Sequence, residues 1–190
     1  MTHYPDDSFA LHTDLYQINM METYFKDGIH NKKAVFDVYF RRNPFKNGYA
    51  IFAGLERVIT YIKDLKFTES DIQYLREELK YGEDFLNYLQ ELRFSGTIRS
   101  MKEGELIFEN EPLMRIEAPL AEAQLVETAI LNIINYQTLI ATKASRLSVV
   151  TEGDSLFEFG TRRAQETEAA IWGTRAAYIG GFQASSNVRA

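Results

Sequence analysis

From Leu120 to Val150 the sequence reads as one strongly helical stretch, nearly uncharged through its middle. A helix apolar around its circumference has no face to give to water, so other elements must wrap it. The rest of the chain therefore has to supply helices and strands with one apolar face each, and its patterning does so. Residues 1–12 read as an irregular arm. Thr13 stands where a cap would open a helix to about Lys26, with Leu15, Ile18, Met21 and Phe25 on one face and Tyr16 on a neighbouring one. Ala34, Phe36, Val38 and Phe40 alternate with Asp37 and Arg41 on the other side, the period of a half-buried strand. Pro44 stops that strand, and Lys46-Asn47-Gly48 has turn composition.

Tyr49–Phe52 reads as a short strand, after which Gly54 opens a helix carrying Leu55, Val58, Ile59 and Ile62. Thr68 and Asp71 have the spacing of a reciprocal capping box ahead of Ile72, Leu75 and Leu79. Gly82 breaks the pattern, and Phe85, Leu86, Leu89 and Leu92 mark a further helix. Short strands are expected at 97–101, 105–109 and 113–117, and Pro119 suits the first turn of the long helix. That helix is expected to be interrupted near Asn135-Tyr136-Gln137. Beyond it, Ser155–Phe159 reads as a strand. A helix follows with Ala169, Trp172, Ala176 and Ile179 on one face, and Gly180-Gly181 ends it. Phe182–Ala184 is expected to be another strand, with Ser185-Ser186-Asn187 in the loop behind it. The fold class is α/β. Residues 1–118 read as a mixed α+β amino-terminal domain, and residues 119–190 as a helical segment with the first β/α units of an irregular barrel. In such barrels the sites lie at the carboxyl ends of the strands.

Composition narrows the function classes. Lys and Arg total 21 against 27 Asp and Glu, for a net charge of −6, which gives no basic face for nucleic acid. There is no cysteine, so disulfides and thiolate metal sites are excluded and a reducing, cytoplasmic setting is the simplest expectation. No apolar run is long enough to span a membrane, and the first residues lack the pattern of a signal peptide. His3, His12 and His30 are not spaced for zinc, and no GxxxxGK[ST] or GxGxxG loop is present.

The stretch FEFGTRRAQ (157–165) carries the most chemistry. It reads as strand, glycine bend, two arginines and helix start. Guanidinium forks grip carboxylates and phosphates, and a helix amino-terminus favours an anion. On spacing alone, Arg162 and Arg163 fit better the common arrangement of surface charges paired with Glu166 and Glu168. Phe159 is either a core residue of the strand or a ring able to stack on a planar ligand. Asp14 and Tyr16 at the first helix start, Ser186 and Asn187 behind the last strand, and Arg41 at a strand end are weaker candidates for ligand contact.

Taken together and in order, TDLYQINMMETYF (13–25), AQLVETAILNIINYQTLIATKASR (123–146), FEFGTRRAQ (157–165) and GGFQASSN (180–187) resemble the nicotinate phosphoribosyltransferase family. The resemblance implies a type II phosphoribosyltransferase fold. It implies ATP-coupled formation of nicotinate mononucleotide from nicotinate and 5-phosphoribosyl 1-diphosphate, with Mg2+, in NAD biosynthesis. It also implies a homodimer whose subunits share the active site. By that resemblance the pyridine ring lies between Tyr16 of one subunit and Phe159 of the other, with Arg162 beside the ring and the ribose phosphate. Ser186 matches a position that is aspartate in nicotinamide-using relatives. A serine donates a hydrogen bond to a carboxylate that an aspartate would repel. The phosphorylated histidine of the ATP step and the ribose-phosphate loops are expected beyond residue 190, so the chain reads as part of a longer enzyme. The alternatives are a nicotinamide or quinolinate relative, or a non-catalytic fragment that binds a pyridine ligand or dimerises.

Overall fold

The computed structural model describes residues 9–46 and 48–190. The arm expected at 1–12 falls outside these but for its last residues, which close a turn through His12 N–H donating to Phe9 O at 3.0 Å. The turn expected at Lys46-Asn47-Gly48 is described except for Asn47.

The chain divides into two compact units whose pieces interleave along the sequence. The first holds residues up to Phe36, Glu56–Arg99 and Arg115–Leu131. Its helices are α1 (Leu15–Lys26), most of α2 (Leu55–Asp64), α3 (Glu69–Glu77), α4 (Glu83–Glu91) and the start of α5 (Leu120–Val150). Most of a three-stranded sheet also belongs to it, in the order β1 (Lys33–Val38), β5 (Met114–Pro119), β3 (Thr97–Ser100). Ile18 and Met21 of α1, Val58 of α2, Ile72 and Leu75 of α3, and Phe85, Leu86 and Leu89 of α4 are buried. They lie on the apolar stripes that the 3.6-residue period marks out, although Leu15 and Ile59, expected on those stripes, are exposed. The capping box at α3 forms as its spacing predicts. Asp71 N–H donates to Thr68 Oγ1 at 3.2 Å, and Thr68 N–H donates to Asp71 Oδ2 at 2.8 Å. At α1 the cap is Asp14 rather than Thr13. The Thr13 hydroxyl donates instead to Leu125 O of α5 at 3.4 Å, a tertiary partner that no local pattern reveals.

The second unit holds Asp37–Leu55, Ser100–Met114 and Asn132–Ala190. It contains the antiparallel pair β2 (Ala50–Ile51) and β4 (Leu106–Ile107), the rest of α5, and a β–α–β unit. That unit runs β6 (Phe157–Glu158), α6 (Glu166–Ile179), β7 (Ala184–Ser185), with β6 and β7 parallel in the register Phe157↔Ala184 and Glu158↔Ser185. Ile51 and Ala53 form a buried cluster with Ala141 of α5 and Ala176 of α6.

Two expectations are corrected in this unit. Helix α5 runs unbroken through Asn135-Tyr136-Gln137. The polar side chains there leave the helix backbone alone and bond sideways. The Tyr136 hydroxyl donates to Ala169 O at 2.6 Å, and Thr138 Oγ1 accepts from Ala53 N–H and donates to Ala53 O, each at 3.2 Å. One turn on, Thr142 Oγ1 accepts from Ile51 N–H at 2.9 Å. In α6 the buried positions are Ala170, Gly173, Ala176 and Ala177: Ala176 faces inward as expected and Ile179 packs against the same cluster, while Ala170 and Gly173 take the inward places expected of Ala169 and Trp172. Small residues face inward because the neighbouring helix comes close. A Cβ on Gly173 would sit 2.7 Å from the Tyr136 hydroxyl, and one on Gly180 would collide with Ala141 O and the Ala144 side chain. Trp172 stays half-buried, its indole N–H donating to Glu168 Oε2 at 2.9 Å.

Candidate active site

At the carboxyl end of β6 the chain passes Phe159, bends at Gly160 and makes a 3-10 turn over Thr161–Arg163 before α6 begins. Phe159 is 67% exposed, so it is not a core residue. Strand alternation explains this: Phe157 and Phe159 share the open side of β6, while Glu158 turns inward. Arg162 and Arg163 are exposed, and among the described residues neither forms an ion pair. The pairing with Glu166 and Glu168 is therefore not made. Glu166 Oε1 accepts from Thr167, and Glu168 holds the Trp172 indole.

Arg162 and Asn187 line one cavity of about 290 Å³ at the amino-terminal end of α6, together with Arg189, Thr161, Thr167 and Glu166. Two guanidiniums against one carboxylate, with hydroxyl and amide donors, make this a place for an anion. Glu166 there has φ of +79°, the left-handed region, at the first residue of the helix. Ser186 is exposed beside Asn187, and its N–H donates to Glu158 O at 2.9 Å. Arg163 does not line the cavity. Arg41 lies in the loop after β1, exposed, and is likewise not among the lining residues.

Asp14 and Tyr16 belong to the first unit. Asp14 Oδ2 accepts from Thr128 Oγ1 at 3.0 Å. Tyr16 is 53% exposed, and its hydroxyl accepts from Gln17 Nε2 at 3.1 Å. Gln17 is fully buried and donates also to Glu127 Oε2 at 3.2 Å, while its carbonyl accepts from Gln124. Desolvation, followed by the charges of Glu127 and Asp14, raises the Tyr16 hydroxyl above its ordinary pKa, so the phenol stays neutral.

Sequence reasoning passed over Arg189, Thr161 and Thr167 in the cavity, and Glu158 behind it. The signal for Glu158 was legible: in FEFG the carboxylate alternates with two aromatics, and an inward-facing carboxylate needs donors. Arg189 carries no comparable local signal.

The chain as a whole has counterparts among solved structures. Nicotinate-nucleotide pyrophosphorylase from Pyrococcus furiosus matches over 100% of this chain and 41% of its own, with TM-score 0.76 at 21% identity. The fold is that of a type II phosphoribosyltransferase. The crystal structure of human nicotinic acid phosphoribosyltransferase matches more closely, with TM-score 0.86 at 34% identity over 93% of this chain and 36% of that one. The family model of the nicotinate phosphoribosyltransferase (NAPRTase) N-terminal domain matches residues 11–135. Among curated relatives, nicotinate phosphoribosyltransferase of Bacillus subtilis (strain 168) is 65% identical over 98% of this chain. That of Caenorhabditis elegans is 45% identical over 94%. The chain belongs to the nicotinate phosphoribosyltransferase family. It spans 38% and 32% of the lengths of those two relatives.

Proposed function

We propose that the complete polypeptide joins nicotinate to 5-phosphoribosyl 1-diphosphate, giving nicotinate mononucleotide and diphosphate in the cytoplasm, with ATP consumed. Residues 119–190 then supply the first β/α units of the barrel domain. The observation that supports this reading most is the cavity that brings Arg162 and Arg189 together with Asn187 at the start of α6; Phe159, exposed three residues before Arg162, and Ser186 are not among its lining residues.

In this reading Phe159 stacks on one face of the pyridine, and Tyr16 of the partner subunit covers the other. Arg162 lies beside the ring and the ribose phosphate, and Ser186 donates its hydroxyl hydrogen to the nicotinate carboxylate. Asn187 and Asp14 flank these contacts, and Arg41 and Arg163 are further candidates for phosphate. The pyridine nitrogen lone pair forms the new bond to C1 of the ribose as the C1–O bond breaks and its electron pair leaves on diphosphate. The site's contribution is to hold ring and sugar in line and to stabilise charge that develops on the departing group. Magnesium, when bound, would neutralise that diphosphate. Among the described residues no group of three His, Asp or Glu side chains is arranged to hold a metal.

The test is turnover of the complete polypeptide with nicotinate, 5-phosphoribosyl 1-diphosphate, ATP and magnesium, compared with nicotinamide in place of nicotinate. Nicotinate is expected to be the better substrate. Ser186→Asp is expected to lower kcat/KM for nicotinate by about tenfold or more, since like charges in contact cost several kcal/mol. Full nicotinate turnover in that variant would remove Ser186 from the carboxylate.

A further inference from the structure

We propose that Glu158 is a positioning residue, whose carboxylate couples the loop carrying Phe159 and Arg162 to the loop carrying Ser186 and Asn187. The inference rests on the reading that these two loops meet the pyridine substrate. Strands β6 and β7 have two residues each, so few backbone bonds hold their ends in register. Glu158 supplies what they lack. One carboxylate oxygen, Oε1, accepts from Gly160 N–H at the bend. The other, Oε2, accepts from the Ser185 hydroxyl of β7 and the Thr174 hydroxyl of α6, each at 2.9 Å. The main-chain carbonyl of Glu158 accepts from Ser186 N–H at 2.9 Å, and Ser185 Oγ accepts in turn from Asn187 N–H at 2.9 Å. A continuous chain of hydrogen bonds thus runs from Gly160 to Asn187 through a single ionisable group.

The chemistry needs a carboxylate. The Gly160 N–H and the Ser185 hydroxyl donate to Glu158, and an ionised carboxylate only accepts; the Thr174 hydroxyl has one hydrogen, shared between Glu158 Oε2 and Ala170 O at 2.9 Å each. An amide at 158 would turn an NH2 toward at least one of these donors. The two hydroxyls could rotate away, but the Gly160 N–H is fixed by the backbone. Residue 160 suits this arrangement because a Cβ there would stand 2.5 Å from Glu158 Oε1 and push the carboxylate off. Glu158 itself reaches no substrate. Its neighbours in sequence and across the sheet do.

The experiment compares wild type, Glu158→Gln, Ser185→Ala and the double variant in the complete polypeptide. Amide hydrogen exchange, measured without substrate, follows peptides covering 157–163 and 183–188. In Glu158→Gln both peptides are expected to lose protection together, with α1 unchanged. In kinetics, the nicotinate KM is expected to rise about tenfold, as befits lost charge-assisted hydrogen bonds. The KM for 5-phosphoribosyl 1-diphosphate should rise less, because Phe159 and Ser186 meet only the pyridine acid while Arg162 meets both substrates, a split that a general loss of folding would not give. The double variant should be no worse than Glu158→Gln alone, because both changes cut the same chain. Unchanged exchange in either loop, equal rises in both KM values, or additive effects would overturn the proposal. Should Glu158→Gln fail to fold, Ser185→Ala carries the same test at smaller amplitude, and an unchanged nicotinate KM there overturns it. A wild type that does not use nicotinate would sink the functional reading, while the exchange data would still decide the coupling.

Discussion

At the scale of single residues, the proposed recognition rests on exposed rings. Tyr16 keeps its phenol neutral and half in solvent, held by the amide of a fully buried Gln17. A planar acid resting on that ring gains stacking energy of roughly 1–3 kcal/mol by analogy with base–aromatic contacts. Tyr16→Ala is therefore expected to raise the nicotinate KM of the complete polypeptide by about five- to a hundredfold. Tyr16→Phe, which keeps the ring, should stay close to wild type. A steady-state titration of nicotinate distinguishes the two, and equal KM values for all three proteins would take Tyr16 out of the site. Phe159 and Arg162 were legible as candidates because a strand end, a glycine and paired arginines form a local pattern. Choosing between ligand contact and ordinary packing or pairing was not possible from spacing. The exposure of Phe159 and the lack of an ion-pair partner for Arg162 among the described residues set aside packing and pairing and leave ligand contact as the proposal. Arg189 escaped because what brings it beside Arg162 is the return of the chain through α6 and β7.

At the scale of elements, the reading was sound where a signal is local and wrong where a neighbour decides. The capping box at Thr68–Asp71 needs four residues and nothing else, so its spacing foretold its bonds. The face of α6 depends on how near α5 lies, and the large Trp172 misled because inward positions had to be small. Glu103, between β3 and β4, ties several elements of the second unit together. Its Oε1 accepts from Gly54 N–H at 2.7 Å and Leu55 N–H at 3.0 Å, which satisfies the start of α2. Arg175 of α6 holds it with both arms, Nη1 to Oε1 at 2.9 Å and Nη2 to Oε2 at 2.7 Å. Burial pushes this carboxyl up, but the Arg175 hydrogen bonds and charge with the two backbone donors outweigh it, and its pKa lies below the ordinary value. A depressed folded-state pKa means that protonation favours the unfolded chain. The contribution of Glu103 is thus present above the unfolded carboxylate pKa of about 4.3 and is lost as pH falls through the lower folded value. Glu103→Gln is expected to lower the melting temperature at pH 7 and to flatten its decline between about pH 5 and pH 3. Equal slopes of melting temperature against pH for the two proteins would show that the pair is not linked to folding.

At the scale of the whole chain, the long helix was legible, but its continuity was not, and Leu131, Leu147, Val149 and Val150 are exposed where a wrapped helix was expected. Polar residues at 135–137 looked like a break because nothing local says where their bonds go. The partners lie on residues far away in sequence, Ala53 and Ala169 among them. The same sideways bonding has a consequence for how the protein avoids sticking to itself. Strand β2 pairs with β4 on one side only. On the other side, Ile51 N–H and Ala53 N–H are taken by the hydroxyls of Thr142 and Thr138, both fully buried. A helix here plays the part of the missing neighbour strand: it covers that buried border of the ribbon and takes its donors, so none is left for a passing β-segment at these positions. Replacing both threonines by valine keeps their shape and removes the hydroxyls. The doubly substituted protein is expected to form β-rich aggregates at concentrations where wild type stays clear, followed by light scattering and thioflavin fluorescence. Undisturbed clarity would mean that helix packing alone shields that border.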